Sequence, residues 1–148
     1  MSSRIDPYEA SKDAQTAMLQ FQSRVNQTAL EPRLIELVKI RASQINRCAF
    51  CLEMHTRETR AKGETEARIY LLSALRESSL YTERERAALA WTESLTNLAQ
   101  TGVPDADYDL AHGVFSDREL ADLTMAIVAI NAWNRLGVAF RRQHADDR

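Results

Sequence analysis

Backbone punctuation constrains this chain more than any other feature. Only four glycines and three prolines occur in 148 residues, and they fall where helices would start and stop. No repeat, low-complexity tract or Pro/Gly-rich linker divides the sequence, so it reads as one helical domain over residues 1–148. Asp6-Pro7 is an N-cap followed by a first-turn proline, and it opens a helix expected to run to about Asn26. Pro32 opens a second, EPRLIELVKIRASQI, with Leu34, Leu37, Val38, Arg41 and Ile45 on one stripe. Asn46 is the expected cap of a third, which ends near Gly63, a residue that tolerates the left-handed backbone after a helix. ETEARIYLLSALRE makes a fourth. Thr82–Glu85 (TERE) and Ser116–Glu119 (SDRE) fit the capping box, in which hydroxyl and carboxylate each satisfy one free amide. They open a fifth and a last helix, with a shorter one after Pro104 between them. The expected fold class is therefore all-α, a compact bundle of about six to seven helices.

The centre of the last helix, LTMAIVAINAW, is apolar on every side. A single core-facing stripe does not describe it, and one face must meet either the bundle centre or a second subunit. A one-domain chain has little interior in which to hide a helix completely, so a homo-oligomer is expected.

Charge and hydropathy remove several classes of partner. The formal charge is −2, with 19 basic and 21 acidic residues, which leaves no basic footprint for nucleic acid. The opening MSSRIDPYEASKDAQ is polar, and the longest purely apolar run, Met125 to Ile130, is too short to span a bilayer. A cytoplasmic protein without membrane association is expected. In a reducing compartment a lasting structural disulfide is disfavoured, so paired cysteines point to catalysis, redox chemistry or metal binding.

Both cysteines and one of three histidines lie within Arg47 to His55, RCAFCLEMH. On a helix Cys48, Cys51 and His55 are three and four residues apart and share a face. Side chains at that spacing have Cβ atoms about 5–6 Å apart, close enough for a disulfide after small local adjustment. Cys48, in the first turn, meets free amides and the positive end of the helix dipole, with Arg47 adding to the effect. His55 is placed to serve Cys51 as a base, because a thiol that ionises near pH 8.5 is only weakly nucleophilic at neutrality. A base needs an orienting carboxylate, and the candidate is Glu36, set among Ile35, Leu37 and Ile40. The plainer role for Glu36 is an ion pair with Lys39 or Arg41. His112 and His144 read as surface or packing residues, and Trp91 and Trp133 as core.

A glutamate twelve positions before CxxC and a histidine four positions after its second cysteine, all on helices, resembles the alkyl hydroperoxidase D (AhpD-like) branch of the carboxymuconolactone decarboxylase family. EPRLIELVKIRASQINRCAFCLEMHTRE, ERERAALAWTESLT and the tail INAWNRLGVAF strengthen the likeness, which runs over about residues 31–90. The resemblance implies that Cys51 attacks an organic hydroperoxide and Cys48 resolves the sulfenic acid to a disulfide. His55 and Glu36 would relay protons, and a dithiol such as a lipoyl group or a thioredoxin-like protein would restore the thiols. It implies no cofactor and no metal, and a homotrimer or homohexamer. The better understood members carry a further histidine between the cysteines, where this chain has Ala49 and Phe50; the change implies a more apolar pocket that favours organic hydroperoxides over hydrogen peroxide.

Three other readings compete with the peroxidase. Cys48, Cys51, His55 and Glu36 or a water are acceptable zinc ligands, but no second CxxC or HxxxH accompanies them. The decarboxylase chemistry that names the wider family has no use for a cysteine pair. A general thiol-disulfide oxidoreductase or redox sensor would use the pair without turning over a peroxide.

Overall fold

Local signals decide most of the helix ends in the computed structural model, which describes residues 4–144. The described residues form nine α-helices and no strand. In order these are α1 (Pro7–Ala10), α2 (Lys12–Val25), α3 (Pro32–Ile45), α4 (Ala49–Ala61), α5 (Glu66–Tyr70), α6 (Glu83–Thr96), α7 (Leu98–Thr101), α8 (Asp105–His112) and α9 (Asp117–Ala139), with a 3₁₀ turn over Leu71–Ala74 after α5. Asp6 caps α1 by accepting from the Tyr8 amide, and both capping boxes form in full, Thr82 with Glu85 and Ser116 with Glu119. Gly63 follows α4 with φ +91°, the left-handed backbone expected there.

The count exceeds six to seven because the first expected helix is interrupted and the short α7 follows α6 as a separate element. The backbone of Ser11 leaves the helical region (φ −141°, ψ 66°) and separates α1 from α2. The segment expected to be helical over ETEARIYLLSALRE begins only at Thr65, whose side chain caps α5, and tightens into the 3₁₀ turn after Tyr70. Asn46 is a third correction: it is the αR C-cap of α3 and does not start α4, whose N-cap is Cys48. Between them Arg47 takes φ +55°, a left-handed turn that reverses the chain within two residues.

The helix hidden on all sides is α3. One side of it, Leu34, Ile35 and Val38, packs with Trp91 of α6 and Leu123 and Ile127 of α9. Leu37 and Ile40 pack into a second cluster with Leu72, Leu75, Tyr81 and Leu89. Complete burial stabilises each such aliphatic side chain by about 1.5–3 kcal/mol relative to exposure, so α3 is the element around which the others are fastened. The last helix, by contrast, is buried along Leu123, Ile127 and Ile130 and leaves Met125, Val128 and Val138 exposed. No helix of the described residues is long and apolar enough to cross a membrane.

Candidate active site

The tight turn between α3 and α4 delivers the cysteines. The Cys48 amide donates to the Ser43 carbonyl at 3.0 Å. Asn46, freed from capping, donates to the side-chain oxygens of Asn131 and Asn134 on α9 at 3.0 and 2.9 Å. Asn134, fully buried, donates in turn to the Ser43 hydroxyl at 3.0 Å. These bonds tie the turn to α9 and fix the start of α4. Cys48 then lies at the N-cap and Cys51 three residues on, both at the amide-rich end of the helix. The two are joined as a disulfide with a Cα–Cα distance of 5.4 Å.

Gly137, which is not among the residues expected at the site, backs this pair. A Cβ on it would lie 2.8 Å from the Cys48 sulfur and 3.6 Å from that of Cys51. Only glycine lets α9 approach so closely. The available signal was a glycine inside an otherwise uninterrupted helix, where it costs about 1 kcal/mol relative to alanine.

From Cys51 the inward face of α4 continues through His55 to Thr59. Across from it, on α3, stands Glu36, 6% exposed. Its Oε2 lies 3.5 Å from His55 Nδ1 and 3.5 Å from the Thr59 hydroxyl, and its Oε1 lies 3.2 Å from Lys39 Nζ and 3.3 Å from Lys62 Nζ. Burial opposes ionisation of Glu36, but His55 and Lys39 outweigh it and hold the carboxyl down at about 2. The structure thus brings Glu36 to His55 and also gives it the ion pair with Lys39. Arg41 is engaged elsewhere, by Glu93 at 2.8 Å. A carboxylate facing Nδ1 favours the tautomer that keeps the proton there and leaves Nε2 able to accept one.

Cys51, His55 and Glu36 all line one cavity of about 580 Å³, within the usual size range for small-molecule sites. Its apolar wall includes Leu19, Val25, Met54 and Ile130. Trp133, expected in the core, also lines it, with its indole N–H on Gln22 at 2.9 Å and its ring stacked with Tyr8. Phe50 forms part of the wall beside Cys51. His112 is at the surface, bonded to Asp117 at 2.9 Å. His144 packs near the Phe50 ring with its Nδ1 4.0 Å from Glu53.

With both sulfurs engaged in the disulfide, the available donors for a metal are Glu36, His55 and Glu58, whose atoms lie within 4.8 Å of one another. Lys39 and Lys62, already against Glu36, place positive charge where a cation would sit. This donor set is poorly suited to a resident metal.

Residues 12–94, from the start of α2 into α6 and including all four site residues, match the carboxymuconolactone decarboxylase family. The chain belongs to that family. An uncharacterised Bacillus subtilis (strain 168) protein, YdfG, is 37% identical over 145 residues, covering 98% of this chain and 99% of its own. A crystallised protein of unknown function from Agrobacterium tumefaciens, proposed to be the antioxidant defence protein AhpD, is 46% identical, with a TM-score of 0.93 and coverage of 97% of this chain and 98% of its own. An uncharacterised peroxidase-related protein from Silicibacter sp. TM1040 shares the fold at a TM-score of 0.77 and 22% identity, over 88% of this chain and 70% of its own. The AhpD-like resemblance seen in CxxC and its flanking residues therefore holds for the whole fold.

Proposed function

We propose that this family member is a thiol-dependent peroxidase that reduces organic hydroperoxides. The observation that carries the reading is the placement of Cys51 on the wall of an apolar-sided cavity it shares with a buried His55–Glu36 pair. In the reduced enzyme His55 takes the Cys51 proton. The thiolate, favoured by the α4 N-terminus, attacks the terminal peroxide oxygen, the O–O bond breaks, and the departing alkoxide is protonated from His55 to give the alcohol. Cys51 is left as a sulfenic acid. The Cys48 thiol displaces its hydroxyl as water and forms the disulfide. An external dithiol, lipoyl or thioredoxin-like, then exchanges with the disulfide and is itself oxidised. The sum is hydroperoxide plus dithiol giving alcohol, water and a cyclic or protein disulfide. The exposed apolar side chains Met125, Val128 and Val138 of α9 support assembly as a homo-oligomer, which the family resemblance makes a homotrimer or homohexamer.

Intact-mass and thiol analysis after anaerobic addition of one equivalent of cumene hydroperoxide to reduced protein tests the reading. Wild type should lose two thiols within the mixing time of a manual assay, and Cys48→Ser should trap a sulfenic acid on Cys51. Cys51→Ser should be inert, and Glu36→Gln should slow the reaction by roughly 10²-fold, within the range of a general base's contribution. Oxidation of the wild type no faster than free cysteine would reject peroxidase activity in favour of thiol exchange with a protein partner.

A further inference from the structure

Three cations line the cavity that Cys51 opens onto, and two of them are already paired. Lys39 and Lys62 both rest on Glu36. Arg142 also lines the cavity, and no described carboxylate lies within 4.0 Å of it. Its side chain is nevertheless held by neighbouring groups. The guanidinium lies over the Phe50 ring, 4.0 Å from its centroid, and over the Tyr8 ring at 4.8 Å. One Nη1 proton goes to the Tyr8 hydroxyl, and the Arg142 amide donates at 3.0 Å to the carbonyl of Gly137, the residue that backs the two sulfurs. Aromatic rings engage the faces of the group, so its N–H edges are the part left to meet a ligand. A guanidinium has five N–H donors in a fixed fork that matches a carboxylate. The remaining donors are held ready beside the sulfur-bearing turn, with little side-chain freedom left to lose on binding.

The volume beside it fits more than a small peroxide. About 580 Å³ is many times the roughly 30 Å³ that a water-sized molecule occupies, and the wall is largely aliphatic and aromatic. A cavity with an apolar wall, one redox sulfur and one guanidinium without a partner among the described carboxylates is complementary to a molecule with an apolar body, a hydroperoxide and an anionic group. We propose that Arg142 anchors a carboxylate on the substrate, so that the preferred hydroperoxides are carboxylic acids of the hydroperoxy fatty acid class. This inference rests on the peroxidase reading for its hydroperoxide but not for its anchor. Phe50 then serves as the shelf that positions the guanidinium.

The test compares two substrates that differ only at the carboxyl end, the hydroperoxide of linoleic acid and its uncharged methyl ester, both kept below their aggregation concentrations. Wild type should favour the acid in kcat/KM by roughly tenfold, the scale of one charge-assisted contact. In Arg142→Gln the ratio should fall to about one, and Arg142→Lys should retain part of it. A ratio near one in the wild type overturns the proposal. So does an equal loss on both substrates in Arg142→Gln, which would assign Arg142 to the thiolate or to the fold. Calorimetric binding of unreactive linoleic acid and its methyl ester to oxidised wild type and Arg142→Gln separates the two readings. Preferential acid binding that needs Arg142 supports the anchor even if neither hydroperoxide is consumed, while equal or absent binding of both rejects it.

Discussion

The missing side chain of Gly137 decides how closely α9 can back the redox pair. A methyl group added there would meet the Cys48 sulfur at 2.8 Å, closer than real Cβ atoms come to their neighbours. A disulfide is confined to narrow geometry, whereas two thiols can each change rotamer. Gly137→Ala should therefore penalise the oxidised form more than the reduced one. Overpacking of about 1–3 kcal/mol predicts a shift of at least about fivefold toward the dithiol in a glutathione redox buffer, read by thiol alkylation. An unchanged or more oxidised equilibrium would show that the backbone gives way instead. The candidate site residues were readable in the chain because their types and spacing are unusual: Glu36 in an apolar stretch, Cys48 and Cys51 together, His55 four residues on. Gly137 and Arg142 were not singled out, because what matters about each is contact across about ninety residues of sequence, and neither a glycine nor an arginine is conspicuous alone.

At the scale of single elements, helix ends are legible in the sequence where the signal lies in the backbone's own hydrogen bonding. Thr82 with Glu85 and Ser116 with Glu119 satisfy amides a few residues away, so the sequence window contains the whole interaction. Asn46 went the other way. Its residue type suits an N-cap, but bonds to Asn131 and Asn134 on α9 compete for its side chain, and the tertiary network won. The same limit explains why the apolar last helix looked like the hidden one: apolarity does not say which neighbours arrive, and α3 has neighbours on every side. The network makes its own prediction. Asn134→Leu keeps the number of side-chain heavy atoms but removes one acceptor of the Asn46 amide and leaves the buried Ser43 hydroxyl without its donor, which should cost at least about 2 kcal/mol and lower the urea midpoint correspondingly. A change below about 0.5 kcal/mol would mean that water replaces the lost partner and that the turn before Cys48 is held by the Ser43 carbonyl alone.

Across the whole molecule, two buried carboxylates tie α3 to the segments that follow it, and both are held ionised. Glu36 does so in the cavity. Glu64, just after α4, accepts two bonds from Arg33 of α3 at 2.7 and 2.8 Å and one from Arg68 of α5 at 2.9 Å, and Arg68 continues to Glu85 of α6. The Arg33 bonds hold the Glu64 carboxyl at about 2 against the opposing effect of burial. A carboxyl whose folded pKa is depressed stabilises the fold above its unfolded value, near 4.5 here, and loses that contribution as pH falls toward 2. One pKa unit is about 1.4 kcal/mol, so each group contributes at most about 3 kcal/mol. The chain should accordingly unfold progressively more easily between pH 5 and 2. Glu64→Gln leaves Arg33 and Arg68 without their shared charge and should be less stable than wild type at pH 7 by about 2–4 kcal/mol. Because the wild-type carboxyl is itself neutralised in acid, the two stability curves should converge toward pH 2, the variant's being the flatter. Urea midpoints measured for both proteins across that range decide it: parallel curves would show that the Arg33–Glu64–Arg68 clamp adds nothing beyond its packing.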